Sequence, residues 1–379
     1  MPGQMPRVDV LIVSLGGTAG LREADAELAA SLRRAGAAVE IARVGRAREL
    51  RTFAAIEFAW AVNARRATTS ALARWSPRAV IYSTTTAALL GPVSGAIRFD
   101  APAAGNRPGR HGIWQRPVEA RRFKAAPLLV PWSEEGLAEA PVPHADAIVV
   151  PMPVAPSGPA GERDIAAITY AANPEKKGLD RVLEAWALES RAGEELVVAG
   201  LDERAGAAWL ARATTAARET LAAAQDAVDA RAAAATTGTT GAATPGSAPP
   251  RRLAMGGGTV RFSGLIGRDE YRALLRRARV FLSAPRREDY GIAQLEALAD
   301  GCVLVTTPAP GPYVAEPIAR RLDNRLVGPR LAIRAALDVP KPDYAERAAA
   351  ALEPFSHAAV DRVVAEQLLP RLLSTDRER

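Results

Sequence analysis

The proline-dense segment PMPVAPSGPA (151–160) divides a chain that otherwise alternates strand and helix signals on both of its sides. Few residues in such a run can continue a strand or a helix, so the composition predicts a hinge there. Ahead of it, VDVLIVSL (8–15) is a continuous apolar run ending in Gly16-Gly17, as a strand buried on both faces would be. In LREADAELAASLRRAG (21–36), Leu21, Ala24, Leu28 and Leu32 share one helical face, acids come early, arginines late, and Gly36 is the stop. VEIARV (39–44) is the next strand, completing the opening of a Rossmann-like βαβ unit. AVIYST (79–84), AIRFD (96–100), LLVPWS (128–133) and AIVVPM (147–152) are expected to be further strands.

Past the hinge the alternation resumes. DIAAITYA (164–171), ELVVAG (195–200), TVRFSG (259–264), VFLSA (280–284) and VLVTT (303–307) read as strands. LDRVLEAWALES (179–190), DEYRALLRRA (269–278) and IAQLEALAD (292–300) read as the helices between them. Alternation in both halves argues for α/β domains with parallel sheets covered on both faces. Residues 205–258 interrupt the pattern: 205–235 has helical composition, and TTGTTGAATPGSAPP (236–250) is a low-complexity run read as a surface insertion without catalytic content. SHAAVDRVVAEQLLPRLL (356–373) reads as an amphipathic helix, with Pro370 marking a kink or its end.

A length of 379 residues suits two domains, and 48% apolar residues suffice for two cores. The single cysteine, Cys302, excludes a disulfide framework and a multi-thiolate metal site, and His111, His144 and His357 are scattered, which argues against zinc. The N-terminal residues lack a signal-peptide core and no stretch reaches membrane-spanning length, so a cytoplasmic protein is expected. The net charge of +7 is uneven: residues 1–150 hold 19 Lys+Arg against 13 Asp+Glu, the remainder 30 against 29. Arg43, Arg46, Arg48 and Arg51, then Arg121, Arg122 and Lys124, form the clusters. The asymmetry points to an anionic partner or to ordinary solvated faces in an arginine-rich chain. Nucleic acid is not expected, because no recognised binding module is present.

The chemistry concentrates in RREDYGIAQLEALADG (286–301), where Glu288 and Glu296 have seven residues between them and Gly291 precedes a helix. Glu288 follows the carboxyl end of a strand, where open α/β sheets bind ligands. The helix beginning near Ile292 offers free backbone N–H groups and the positive end of its dipole to a phosphate. Glu296, about one turn further, lies within reach of the hydroxyls of a ribose. Lys177 stands at the start of another helix, at the Lys-Gly turn of NPEKKGLDRVLEAW (173–186).

This stretch resembles the Glu-x7-Glu motif of retaining GT-B glycosyltransferases, the large group 1 or family 4. The likeness extends over NPEKKGLDRVLEAW (173–186) and 262–307, more loosely over the first half, where Gly20 falls at the second glycine of the family's donor-facing loop. The resemblance implies two Rossmann-like domains facing across a cleft, 1–152 toward the acceptor and 153–350 toward the donor, with a helix in 351–379 returning to the first. It implies that Glu288 bonds the donor sugar and Glu296 the ribose, that Gly291, Ile292 and Ala293 hold the sugar and distal phosphate, and that Lys177 neutralises the diphosphate. Backbone at Gly264, Leu265 and Ile266 would meet the base, and Gly20 would let the loop approach the phosphates. A nucleoside diphosphate sugar is then co-substrate, no cofactor or metal is expected, and no two aspartates separated by one residue suggest metal dependence. The acceptor is open, a lipid-linked one at the inner membrane face being one reading.

Two departures from the family pattern stand out. TYAANPEKKG places Ala171, Ala172 and Asn173 where an arginine usually pairs with the diphosphate, leaving Lys176, Arg268 or Arg286 as substitutes. Asp100 takes the place of the usual histidine, with His111 eleven residues on, and either residue could be catalytic or structural. Two other readings remain: a nucleotide-sugar 2-epimerase of the same architecture, or a non-catalytic nucleotide-sugar-binding relative. LGGTAGLRE (15–23) lacks the G-x-G-x-x-G spacing of a dehydrogenase.

Overall fold

A computed structural model describes residues 6–47, 50–143, 146–233, 254–255 and 257–374. The segment 236–250, expected to be a surface insertion, lies outside the described residues.

The first domain is a five-stranded sheet of β1 (Arg7–Ser14), β2 (Val39–Arg43), β3 (Ser76–Tyr82), β4 (Ala96–Phe99) and β5 (Leu129–Pro131), in the order β2-β1-β3-β4-β5 and parallel throughout. Val10, Leu11, Ile12 and Val13 of β1 are completely buried, which is why the strand reads as an unbroken apolar run instead of an alternation. Helix α1 (Ala19–Arg34) is capped by Thr18, whose hydroxyl accepts from the Leu21 N–H at 3.2 Å, and it packs Leu28 and Leu32 on the sheet. Helix α2 (Phe53–Leu72) covers the other face.

The second sheet takes in β6 (Ile165–Tyr170), β7 (Glu195–Ala199), β8 (Ala254–Met255), β9 (Gly258–Gly264), β10 (Ala278–Ser283) and β11 (Val303–Thr306). Their order is β11-β10-β6-β7-β9-β8, parallel except for the β8–β9 pair. Helices α3 (Leu179–Glu189), α4 (Glu203–Ala233), α5 (Arg268–Arg277) and α6 (Ile292–Ala299) connect the strands. The stretch from residue 205, grouped with an insertion on composition, begins as α4, a crossover helix that buries Leu210, Ala213 and Ala217 in the second core. Its alanine-rich sequence hid a short apolar stripe.

AIVVPM (147–152), expected as a strand, forms only a bridge from Ala147 to Leu129. Ile148 and Val150 donate to the carbonyls of Leu129 and Pro131, but Pro131 has no N–H to return a bond, so no full ladder develops. The chain ends through α7 (His357–Val363), a π turn at Val364–Leu368 and the short helix Leu369–Ser374. The π turn precedes Pro370, widening the helix where that residue can give no hydrogen bond. Val360, Val364, Leu368 and Leu372 of this segment join Val10, Ile12, Leu28 and Leu32 in the first core. Asp361 accepts from Ser31 at 2.5 Å and pairs with Arg34 at 2.6 Å, fixing the returning segment to α1.

Candidate active site

In the second sheet the chain leaves β6 toward β7 and later returns to its other side as β10, so the topology switches between β6 and β10. Open α/β sheets bind ligands outside the strand ends at such a point. The turn after β6 carries Lys176 and Lys177, and the loop after β10 carries Glu288 and Asp289. Both connections are fixed by left-handed glycines. Gly178 has φ 62°, and a Cβ there would overlap the Ala284 carbonyl oxygen. Gly291 has φ 97°, starts α6, and faces the Tyr313 ring.

The two predicted residues meet: Lys177 Nζ donates to Glu288 Oε2 at 2.6 Å. Gln294 Nε2 donates to the same oxygen at 3.1 Å and to Ser283 Oγ at 2.8 Å, while its own Oε1 is buried without a partner. Gln294 was not singled out from the sequence; its place on the first turn after Gly291 was the only signal. The start of α6 has no side-chain cap, so the N–H groups of Ile292 and Ala293 remain available. Glu296 lies buried on that helix, paired with Arg268 at 2.7 Å and Arg272 at 3.5 Å. Burial pushes its carboxyl up, and Glu23 and Asp300 add to this, while the two arginines oppose it. Arg272 is anchored to Asp300 at 2.6 Å and to the hinge carbonyl of Ala155 at 2.7 Å.

The three candidate substitutes for the missing arginine are all engaged. Arg286 is turned to Asp180 at 2.6 Å, Lys176 pairs with Asp289 at 2.5 Å, and Arg268 bridges Glu296 to Glu23 of the first domain. Burial alone would raise Asp289, but Lys176 and Arg287 outweigh it and hold the carboxyl below the usual range.

Across the cleft, the loop Gly16–Thr18 leaves β1 at the first sheet's own switch point, between β1 and β3. Gly20 lies in the first turn of α1, where an added Cβ would meet no protein atom within 4 Å. Asp100 follows β4 and keeps part of its surface open to solvent although many atoms crowd it. Its carboxyl is pushed up to about 6 by desolvation and then by Asp289, with Lys176 pulling the other way. His111 stands exposed on the turn Gly109–Gly112 and bonds none of these groups. Gly264 has φ 74° and receives the Gly200 N–H at 2.9 Å, Leu265 is 87% exposed, and Ile266 packs on the second core.

The domains also touch beside the cleft. Arg287 pairs with Glu139 at 2.7 Å, and the Tyr290 hydroxyl accepts from the Met152 N–H at 3.1 Å. The Tyr290 ring meets Trp132 edge-on at 5.2 Å, and Arg98 lies over Trp132 at 4.7 Å. A pocket of about 350 Å³ opens between hinge and cleft, lined by Glu23, Ser157, Arg268, Arg272, Arg276 and His357 among others. The space beside Lys177, Ser283 and Gln294 is only about 10 Å³.

With this geometry in view, the likeness to known proteins is informative. Residues 203–337 match the family model described as Glycosyl transferases group 1. A sucrose-phosphate synthase from Thermosynechococcus elongatus superposes with a TM-score of 0.59 at 14% identity, covering 98% of this chain and 100% of that one. WaaG, a glycosyltransferase involved in lipopolysaccharide biosynthesis, gives 0.58 at 14% identity over 97% and 98% of the two chains. The chain has the GT-B fold. Anabaena HepE, solved in complex with UDP and glucose, gives a TM-score of 0.57 at 12% identity over 96% and 99%. No curated protein matches the sequence. The family match and this fold together support glycosyl transfer.

Proposed function

We propose that the protein moves a sugar from a nucleoside diphosphate sugar to an acceptor hydroxyl with retention at the anomeric carbon. The observation that carries this is the meeting of Lys177 and Glu288 at the switch point beside an uncapped helix start. These two groups satisfy one another. A donor would divide them: Lys177 to the diphosphate, Glu288 and the spare Gln294 Oε1 to sugar hydroxyls, and the Ile292 and Ala293 N–H groups to the distal phosphate. Glu296 would exchange Arg268 for ribose hydroxyls, and Asp100 would face the sugar from the first domain.

The bond from the anomeric carbon to the diphosphate oxygen breaks, and the bond to the acceptor oxygen forms on the same face. The acceptor proton passes to the departing phosphate oxygen. Lys177 and the helix dipole supply the positive charge this oxygen needs, so the reading is metal-independent, resting on orientation and electrostatic stabilisation. UDP bound to Anabaena HepE supports a nucleotide donor for this architecture.

A thermal-shift screen with UDP-, GDP-, ADP- and dTDP-sugars should find one base class that stabilises; a donor at a hundred times its dissociation constant contributes roughly 2.7 kcal/mol. With that donor, Glu288→Ala should lose transfer by on the order of 10³-fold while remaining folded. Lys177→Ala should weaken diphosphate binding more than nucleoside binding. Transfer retained by Glu288→Ala would overturn the assignment, and an epimerised donor formed without acceptor would replace it with the epimerase reading.

A further inference from the structure

Helix α2 buries Glu57, Ala61, Ala64, Thr68 and Ala71, a face of mostly small residues. Its phenylalanines are not used in the core: Phe53 is 41% and Phe58 52% exposed. The turn Gly109–Gly112 brings a second element beside them. Trp114 meets Phe58 edge-on at 5.7 Å and donates its indole N–H to the Ala54 carbonyl at 3.2 Å, leaving the neighbouring Ile113 68% exposed. Leu50, 43% exposed, precedes the helix. Four of the seven large apolar side chains exposed among the described residues therefore gather at one place, which scatter does not explain.

Among the described residues, the exposed charges on and beside this helix are arginines. Glu57, the helix's one acid, points inward and is held by Thr86 at 2.7 Å, Gln115 at 3.1 Å and Arg107 at 3.4 Å. Arg107 lies over the Phe53 ring at 4.5 Å. Arg51, Arg66 and Arg110 are exposed, and the structure gives them no ion pair among the described residues. Arg65 donates to the Leu90 carbonyl at 3.1 Å. Here apolar tips alternate with guanidinium groups, the pattern suited to a headgroup layer of phosphates above acyl chains. Leu50 and Ile113 are aliphatic and cannot stack on nucleobases, which disfavours a nucleic acid.

We propose that this face docks on an anionic phospholipid surface, Phe58 and Ile113 entering the headgroup layer and Arg51, Arg66 and Arg110 meeting lipid phosphates. Asn106 ends the short helix Ala103–Asn106, which follows Asp100, and Gly105 within it lies against Glu139 and Arg287, so the face borders the cleft. Only the corollary, that the acceptor hydroxyl belongs to a membrane-borne lipid, rests on the transfer reading.

The experiment is co-sedimentation of the full chain with phosphatidylglycerol/phosphatidylcholine vesicles and with pure phosphatidylcholine vesicles, at low and high salt. Binding is expected to the anionic vesicles at low salt and to fade with salt. Phe58→Ser with Ile113→Ser should reduce partitioning by about tenfold, and Arg51→Ser or Arg110→Ser by roughly fivefold each, with melting temperature and donor-induced thermal shift unchanged. No binding to anionic vesicles at low salt, full binding by the double serine variant, or binding to RNA but not vesicles would overturn the proposal. The donor shift is read separately, so a failed transfer reading leaves the vesicle result interpretable.

Discussion

The two sides of the cleft share a sheet architecture and use it differently. On the second-domain side, each charged group at the switch point already has a partner: Lys177 with Glu288, Lys176 with Asp289, Arg268 and Arg272 with Glu296. Two of its glycines, Gly178 and Gly311, lie where a Cβ would run into a carbonyl oxygen. On the first-domain side, Gly17 and Gly20 have open surroundings, and Asp100 is charged only against opposition from burial and from Asp289. One side neutralises its charges among its own groups; the other leaves Gly17 and Gly20 open. A donor would thus be received by exchanging ion pairs on the second domain, with the first domain closing over it.

The largest effect that separates the two sides is expected at Gly178. Replacement by alanine puts a Cβ onto the Ala284 carbonyl oxygen with φ at 62°, so both steric overlap and backbone strain oppose it. Gly178→Ala should lose about 3 kcal/mol of stability in urea unfolding. The Lys177 turn would shift with it, and donor binding would fall too. A variant as stable as the parent would mean that the turn is adaptable, and the contrast between the sides would disappear.

A smaller effect is expected at Asp100, and it depends on pH. The native carboxyl titrates at about 6 against an ordinary value of 3.8, because burial and Asp289 disfavour its charge. Between these values the folded state keeps a proton that the unfolded chain has released, so stability falls as pH rises through the interval. The penalty is absent below about 3.8 and complete above about 6. Asp100→Asn should therefore be more stable than the parent at pH 7.5, by on the order of 2 kcal/mol. The difference should close toward pH 4. A constant difference across this range would assign the effect to packing instead of charge.

The same contrast explains what could be read from the residues alone. The second-domain site was legible because its parts are local: Glu288, Gly291 and Glu296 sit on one loop and one helix, and the Lys177 turn brings its own glycine. What the sequence did not announce were the partners those groups take. Gln294 joins Glu288 across the start of α6, and Arg268 reaches Glu23 only because the start of α5 faces α1 across the cleft. The strand at 147–152 was overread since nothing in AIVVPM shows that its neighbour contributes Pro131. On α2 Trp60 packs toward the core and Phe58 is left outside, because the buried Ala61 and Ala64 allow the helix to lie close on the sheet. His111, flanked by glycines and suggestive in sequence, stays apart from the site on its own turn.

The smallest structural effect is expected at Gly20, where it is most informative. The residue is in the first turn of α1 with ordinary helical backbone, and a Cβ would meet no protein atom within 4 Å. Alanine there should be tolerated, with stability unchanged or raised by up to about 0.5 kcal/mol from helix propensity. If the loop approaches the donor's phosphates as proposed, the added methyl group lies in their path. Gly20→Ala should then bind a nucleoside as the parent does and bind the nucleoside diphosphate more weakly, by about tenfold on isothermal titration, the cost of a small steric intrusion into a charged contact. Gly178→Ala, by contrast, should weaken both ligands together, since it disturbs the scaffold. Undiminished diphosphate affinity in Gly20→Ala would place the phosphates wholly on the second domain and leave the first domain to hold the acceptor alone.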